Sequence, residues 1–151
     1  MKTSGASPEA PTRLVLDTSA YSRFRAGDSR VLDLIAAAEL VLVPVTVLGE
    51  LHGAFEFGTR ARENRTVLTE FLTEPFVRVV PASPDVARRY GRIYVALRRA
   101  GRPIPVNEMW IAAAAMDQGA CLITFDRHYE QVAGLDYLLF EGVEAGAEDD
   151  E

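Results

Sequence analysis

Five short runs of apolar, largely β-branched residues recur along the chain, and within them polar and apolar positions do not alternate. Strands that are buried on both faces have this pattern, whereas strands with one solvated face alternate. We therefore predict five strands, at residues 14–16, 40–43, 76–79, 121–125 and 137–140.

The segments between these runs carry apolar residues at the spacing of amphipathic helices. Pro44 and Pro84 fall where a first helical turn tolerates proline. Strands that alternate with helices indicate an α/β sandwich around a parallel sheet. The predicted helices cover residues 29–38, 44–57, 60–72, 84–100 and 108–118.

The two ends of the chain lack this periodicity. We expect a disordered segment at residues 1–12, one folded domain at 13–142 and a disordered acidic tail at 143–151. No apolar run has the roughly 18–20 residues that cross a bilayer, and the first residues do not form a secretory signal. The single cysteine, Cys121, excludes an internal disulfide and a multi-cysteine zinc site, and it fits a cytoplasmic protein.

The net charge of −6 is concentrated at the end of the chain, where residues 141–151 hold six acids and no base. The rest of the chain is neutral, and all of its basic residues except Lys2 are arginines. Arginine has a planar fork that suits phosphate, so nucleic acid is a possible ligand despite a pI near 5.0. The sequence does not rank the candidate phosphate contacts, which are Arg23, Arg25, Arg92, Arg98 and Arg99.

Two aspartates directly follow predicted strands. Asp17 comes after the first strand and Asp126 after the fourth. In open parallel sheets the ligand crevice lies at the carboxyl edge, so we expect both side chains at that edge. Each aspartate taken alone is also a common helix cap or turn residue.

Two glutamates lie in strongly apolar helix starts. Glu50 needs a partner if it is buried, either an arginine or another hydrogen-bond donor. Glu108 follows Asn107, a predicted N-cap, and a carboxylate in a first turn is stabilised by the helix dipole. Asp117 lies nine residues further along that helix, on its opposite face and about 13–14 Å away, so it cannot join a compact cluster.

Four carboxylates at one sheet edge would repel each other unless a cation neutralised them. The four are Asp17, Glu50, Glu108 and Asp126. Carboxylate oxygens favour Mg²⁺ or Mn²⁺, and such a site activates water for in-line displacement at phosphorus. Zinc is disfavoured because only two histidines are present and Cys121 lies in an apolar strand, where we expect it in the core.

The segments around these acids resemble, in order, the PIN domain, and most closely the VapC-type toxins of bacterial toxin–antitoxin pairs. The resemblance extends over residues 14–140. The matching segments are Leu16-Asp17-Thr18-Ser19, Gly49-Glu50-Leu51 with Gly53, Pro103-Ile104-Pro105-Val106-Asn107-Glu108, Trp110-Ile111-Ala112-Ala113, Leu122-Ile123-Thr124-Phe125-Asp126-Arg127-His128-Tyr129 and Gly134-Leu135.

This resemblance implies a compact three-layer α/β/α sandwich around a short parallel sheet, and a Mg²⁺- or Mn²⁺-dependent endoribonuclease. Asp17, Glu50 and Asp126 match the first, second and fourth acidic positions of the family. Glu108 falls on the third position, where the family usually has aspartate. These four are the implied catalytic and metal-binding residues. The residues expected to support them are Thr18, Ser19, Asn107 and Thr124.

The same resemblance implies an RNA substrate, a cognate antitoxin protein and a homodimer, with no membrane association. His128 also matches a family position, where we expect it to order the loop after Asp126. The helices near residues 48–57 and 60–72 carry more apolar residues than a core of this size needs. We therefore expect an antitoxin or a second copy to cover part of that surface.

Two other functions compete with this interpretation. A catalytically impaired PIN module that binds RNA or protein is supported by the glutamate at position 108. A phosphotransfer enzyme or receiver would use Asp17 as nucleophile, but Ser19 stands where a haloacid-dehalogenase-like site has a second aspartate. A receiver also needs a downstream lysine, whereas Lys2 is the only one, and no glycine-rich phosphate loop is present.

Overall fold

A central sheet of six strands, in the order β1-β6-β5-β2-β3-β4, organises the protein. The computed structural model describes residues 1–5 and 9–142. Neighbouring strands are parallel except for β1, which is antiparallel to β6. The strands are β1 Lys2–Thr3, β2 Arg13–Leu16, β3 Leu40–Pro44, β4 Val77–Val80, β5 Cys121–Thr124 and β6 Tyr137–Leu139.

Helices flank this sheet, as the predicted α/β/α architecture requires. In the described part of the chain none is both long and apolar enough to cross a membrane. The helices are α1 Thr18–Arg25, α2 Ser29–Ala37, α3 Val45–Phe57, α4 Ala61–Leu72, α5 Pro84–Arg99 and α6 Val106–Asp117, with a 3₁₀ helix at Arg127–Gln131.

The central strands β2 and β5 are the most deeply buried part of the sheet. Leu14, Val15 and Leu16 in β2 and Leu122 and Ile123 in β5 have no exposed surface. Burial on both faces explains why these runs do not alternate in the sequence. Four consecutive buried alanines in α6 bring that helix close to the core, because their side chains are small.

Three elements were not expected from the sequence: the 3₁₀ helix at Arg127–Gln131, helix α1 and strand β1. Helix α1 buries only Ala20 and Tyr21, so its apolar periodicity is too weak to show. Strand β1 lies in the segment predicted to be disordered, where Lys2 and Thr3 pair with the otherwise free edge of β6. Such pairing satisfies backbone groups that an edge strand leaves open. The acidic tail predicted at 143–151 lies outside the described residues.

Cys121 begins β5 and packs against the core while remaining partly exposed. Burial, with a smaller contribution from the charge of Asp136, raises the pKa of its thiol to about 12. The thiol therefore stays protonated at neutral pH and is a poor metal ligand or nucleophile.

The strand order creates a crevice between β2 and β5. The chain leaves β2 towards β3 on one side, and it leaves β5 towards β6 on the other. Ligands in open parallel sheets bind outside the carboxyl ends of strands at such a reversal. Leu16 pairs with Ile123 in the register of these strands, so Asp17 and Thr124 follow side by side at the crevice.

Candidate functional site

A cleft of about 280 Å³ opens at this crevice. All four acids predicted from the sequence line it, although they come from four different parts of the chain. Asp17 follows β2, Glu50 lies on α3, Glu108 lies in the first turn of α6 and Asp126 follows β5. The other residues lining the cleft are Thr18, Ser19, Ser22, Asn107, Ile111 and Tyr129.

Asp17 is the most deeply buried acid of the cluster, with 4% of its surface exposed. It is the N-cap of α1, where its Oδ1 accepts hydrogen bonds from the amide of Ala20 at 2.7 Å and the hydroxyl of Ser19 at 2.6 Å. The hydroxyl of Thr124 donates to Oδ2 at 2.5 Å. Burial raises the pKa of Asp17 to about 6 and outweighs these three hydrogen bonds, while the charge of Asp126 adds to the rise.

Two hydroxyl groups connect Asp17 to the end of β5. Ser19 Oγ accepts from the amide of Phe125 at 3.0 Å while donating to Asp17. Thr124 Oγ1 accepts from the amide of Asp126 at 2.9 Å while donating to the other carboxylate oxygen. The two strand ends are thereby held in a fixed relation, and the backbone of Asp126 is positioned by the same network.

Glu50 is half-buried and has both carboxylate oxygens occupied. The hydroxyl of Thr18 donates to Oε1 at 3.0 Å, and Nδ2 of Asn107 donates to Oε2 at 2.9 Å. Its partners are therefore neutral donors, and no ion pair to an arginine is found among the described residues. The prediction of Asn107 as an N-cap is wrong, because α6 already begins at Val106. The side-chain amide of Asn107 donates to Glu50 instead.

Glu108, Asp126 and His128 form a close group at one end of the cleft. The Nδ1 atom of His128 lies 2.9 Å from Glu108 Oε2 and 3.1 Å from Asp126 Oδ1. Asp126 also caps the 3₁₀ helix by accepting from the amide of His128 at 2.9 Å. One ligand atom from each residue lies within 4.8 Å of those of the other two, close enough for one metal ion.

The pKa values of the two carboxyl groups in this set are shifted in opposite directions. Burial raises the pKa of Glu108 to about 8, followed by the hydrogen bond and charge of Asp126 and the charges of Asp17 and Glu50. For Asp126 burial also acts upwards, but hydrogen bonds from Glu108 and the amide of His128, with the charge of His128, lower its pKa overall. Without a metal, these opposite shifts favour a protonated Glu108 beside an ionised Asp126 at neutral pH.

Other polar residues considered in the sequence lie elsewhere. Asp117 forms an ion pair with Arg89 at 3.4 Å, as its position on the far face of α6 predicts. His52 is exposed and packs edge-on against Phe55. Tyr129, which is not among the predicted site residues, is buried and lines the cleft. Its position three residues after Asp126 in a 3₁₀ helix, where i and i+3 side chains eclipse, is the signal that indicates it.

The donor set fits a hard divalent cation. Neither Asp17 nor Glu50 is ion-paired with a basic side chain within residues 1–5 and 9–142. Among the described residues, His128 is the one basic side chain in contact with Glu108 and Asp126. Desolvated carboxylates that share one cleft without a counter-charge are costly, and a cation bound by their oxygens removes that cost.

The chain matches known proteins over most of its length. The PIN domain family matches residues 14–135. Ribonuclease VapC5 of Mycobacterium tuberculosis is 30% identical over 126 residues, which cover 82% of this chain and 90% of that protein. Ribonuclease VapC1 of Haemophilus influenzae is 31% identical over 109 residues, covering 72% of this chain and 79% of that protein.

The fold is also found in a solved structure of the same group. A VapBC-5 structure from Mycobacterium tuberculosis, a member of the VapBC family of toxin–antitoxin systems, superposes with a TM-score of 0.67 and 27% identity. It covers 87% of this chain and 100% of the other chain. With these matches and four acidic residues lining one crevice, the chain belongs to the PIN domain family.

Proposed function

We propose that this protein is a metal-dependent endoribonuclease and the toxin of a toxin–antitoxin pair. The observation that carries the proposal is the convergence of Asp17, Glu50, Glu108 and Asp126 on one cleft without a lysine or arginine partner in the described part of the chain. The relatives named ribonucleases support RNA as the substrate. The likeness to a VapBC-family structure supports the toxin role.

The four acids would hold Mg²⁺ or Mn²⁺. When bound, such an ion lowers the pKa of water and offsets negative charge at a phosphodiester. To act as a ligand, Glu108 would have to be ionised, because an ionised carboxylate is the ligand form. Asp17 is kept in place by its three hydrogen bonds, and Thr18 and Asn107 orient Glu50.

The test compares Asp17→Asn with Asp117→Asn. Both variants remove one negative charge, but Asp117 pairs with Arg89 outside the cleft. We expect Asp17→Asn to abolish RNA cleavage and weaken Mn²⁺ binding measured by calorimetry, whereas Asp117→Asn keeps both. The Asp17 variant should still fold, because the relief of like-charge repulsion offsets the loss of an acceptor for the Thr124 hydroxyl. Wild-type cleavage by a nuclease-free preparation of Asp17→Asn would refute the mechanism.

A catalytically impaired PIN module is the second candidate, favoured by the glutamate at position 108. That module would bind RNA without cutting it and would bind no divalent ion. Sequencing the RNA ends produced on expression without an antitoxin separates the two functions, because only the nuclease leaves new ends at preferred sites.

We further propose a cytoplasmic protein that is inhibited by an antitoxin and associates with a second copy of itself. Several apolar side chains are available for such contacts on the described surface. Phe57, at the end of α3, is 97% exposed, and Val45 and Val106 are also exposed. Covering these side chains would favour association by removing apolar surface from water.

A further inference from the structure

A second groove adjoins the acidic cleft and has the opposite charge. It has a volume of about 490 Å³ and is lined by Arg102, Arg127, His128, Glu130 and Gln131, among others. His128 connects the two sites, since its ring lines this groove while its Nδ1 contacts Glu108 and Asp126 in the cleft. The groove and the cleft therefore meet at His128.

Within the described part of the chain, no carboxylate pairs with the two arginines of the groove. Arg127 has no carboxylate partner among residues 1–5 and 9–142. Arg102 donates through Nη1 to Oε1 of Gln131 at 3.0 Å, and this neutral amide orients the guanidinium without cancelling its charge. The one acid lining the groove, Glu130, pairs with Lys2 at 3.1 Å.

The backbone of both arginines is fixed by local structure. Gly101 lies just after the end of α5 and has a φ of +68°. The backbone amide of Arg102 donates to the carbonyl of Leu97 at 3.0 Å. Pro103 follows directly and restricts the backbone conformation of Arg102. Arg127 is the first residue of the 3₁₀ helix that Asp126 caps. The backbone positions of both arginines are therefore set before a ligand arrives, so binding has to order only their side chains.

We propose that this basic groove, through Arg102 and Arg127, binds the phosphate backbone of the RNA beside the cleavage site. The inference rests on the proposed ribonuclease function. An acidic cleft repels a polyanion, so affinity for RNA must come from cations near it. Guanidinium groups bind phosphate through two parallel hydrogen bonds, and such contacts position a strand without reading its sequence.

The test measures binding of a short fluorescein-labelled single-stranded RNA in EDTA by anisotropy across a salt series. The variants are Arg102→Gln, Arg127→Gln and their combination. The control is Arg65→Gln, which removes the same charge on α4, where Arg65 pairs with Glu56. We expect each groove variant to weaken binding and lower the slope of log affinity against log salt by about 0.7, with the control unchanged.

Two further measurements separate this contact from other effects. Arg102→Lys and Arg127→Lys keep the charge and should keep the salt slope. Thermal melts of the glutamine variants should match the parent, since both arginines are exposed.

Three outcomes would overturn the proposal. The first outcome is that the double variant keeps the RNA affinity and the salt slope of the parent, while Asp17→Asn still abolishes cleavage. This outcome refutes RNA binding by the groove but not the ribonuclease function. Loss of polyglutamate binding in the variants, with RNA binding retained, assigns the groove to an acidic protein segment. A parent protein that neither binds nor cuts RNA refutes both proposals.

Discussion

At the scale of single residues, Glu108 bears the largest electrostatic cost in the cleft. It is 8% exposed, lies beside Asp126 and has its pKa raised to about 8, chiefly by burial. Compared with aspartate, its side chain is longer by one carbon–carbon bond of about 1.5 Å. Mg²⁺ requires near-ideal octahedral geometry, so a displaced ligand should impair it more than Mn²⁺.

We therefore predict that RNA cleavage is faster with Mn²⁺ than with Mg²⁺. Glu108→Gln should weaken the affinity for both ions, because it removes a charge from the ligand set. Glu108→Asp should raise the Mg²⁺-supported rate if the natural site is impaired, and lower it if the backbone is fitted to glutamate. Calorimetry and initial rates measure these effects. If Glu108→Gln changes neither affinity nor cleavage, the third ligand is another residue.

A second residue-scale prediction concerns pH. Asp17 and Glu108 have raised pKa values in the folded protein, about 6 and about 8, against 3.8 and 4.5 without burial. Between about pH 4 and 8 the folded state therefore binds more protons than the unfolded state, and the free energy of unfolding falls as pH rises. Below this window both states are protonated, and above it both are ionised.

Thermal unfolding in EDTA checks this prediction. The metal-free protein should lose stability between pH 4 and 8, and saturating Mn²⁺ should reverse that trend, because its affinity rises as protons leave the ligands. The control is the double variant Asp17→Asn with Glu108→Gln, which should have a flatter pH profile. An identical decline in this variant would show that the two carboxyls do not cause it.

At the scale of elements, Thr124 couples β2 to β5. Its buried hydroxyl donates to Asp17 and accepts from the amide of Asp126. We expect Thr124→Val to destabilise the protein by about 1–3 kcal/mol, because it leaves a buried carboxylate oxygen without its donor. Metal affinity should fall as well. The matched control is Thr66→Val on α4, where the exposed hydroxyl contacts only the carbonyl of Arg62. Equal melting temperatures for the two variants would contradict this role.

The elements also show what the sequence predicts and what it does not. Strands β2 and β5 are predictable because they are buried on both faces beyond their first residues, which leaves continuous apolar runs. The short α1 was missed because its burial is slight, and its N-cap, Asp17, was weighed as either a cap or a site residue. In the structure Asp17 caps α1 and also lines the cleft, and no local sequence pattern predicts that it does both.

Contacts between residues that are distant along the chain also could not be predicted from the sequence. Asn107 could be recognised as a capping type, but its hydrogen bond to Glu50 joins residues 57 apart and depends on how α3 and α6 pack. The same holds for Arg102 and Arg127, which were not among the candidate phosphate contacts. They line one groove only because the turn after α5 meets the loop after β5.

At the scale of the whole molecule, the described surface combines an acidic cleft, a basic groove and exposed apolar side chains. The acidic cleft and the basic groove adjoin at His128, and the cation–π contacts of Arg23 and Arg30 cover Phe125 on the side of α1 and α2. Phe57 differs from Phe125 because none of the described arginines stacks on its ring, and its side chain is 97% exposed. An isolated exposed apolar side chain is common, but one this large at a helix end is a candidate interface anchor.

The last prediction is that Phe57 contributes to association between copies of the chain. Burying one phenylalanine is worth about 1.5–3 kcal/mol, which is about tenfold or more in a dissociation constant. Phe57→Ser should therefore raise the dimer dissociation constant in sedimentation velocity while leaving the melting temperature unchanged in dilute monomer, since the ring has almost no intramolecular contact. The control is Leu32→Ser on α2, which also removes an apolar side chain, but one that is less exposed than Phe57. If the parent is a monomer at micromolar concentration, the same variant should weaken capture of a co-expressed antitoxin. If Phe57→Ser changes neither the dimer dissociation constant nor antitoxin capture, Phe57 takes part in neither interface.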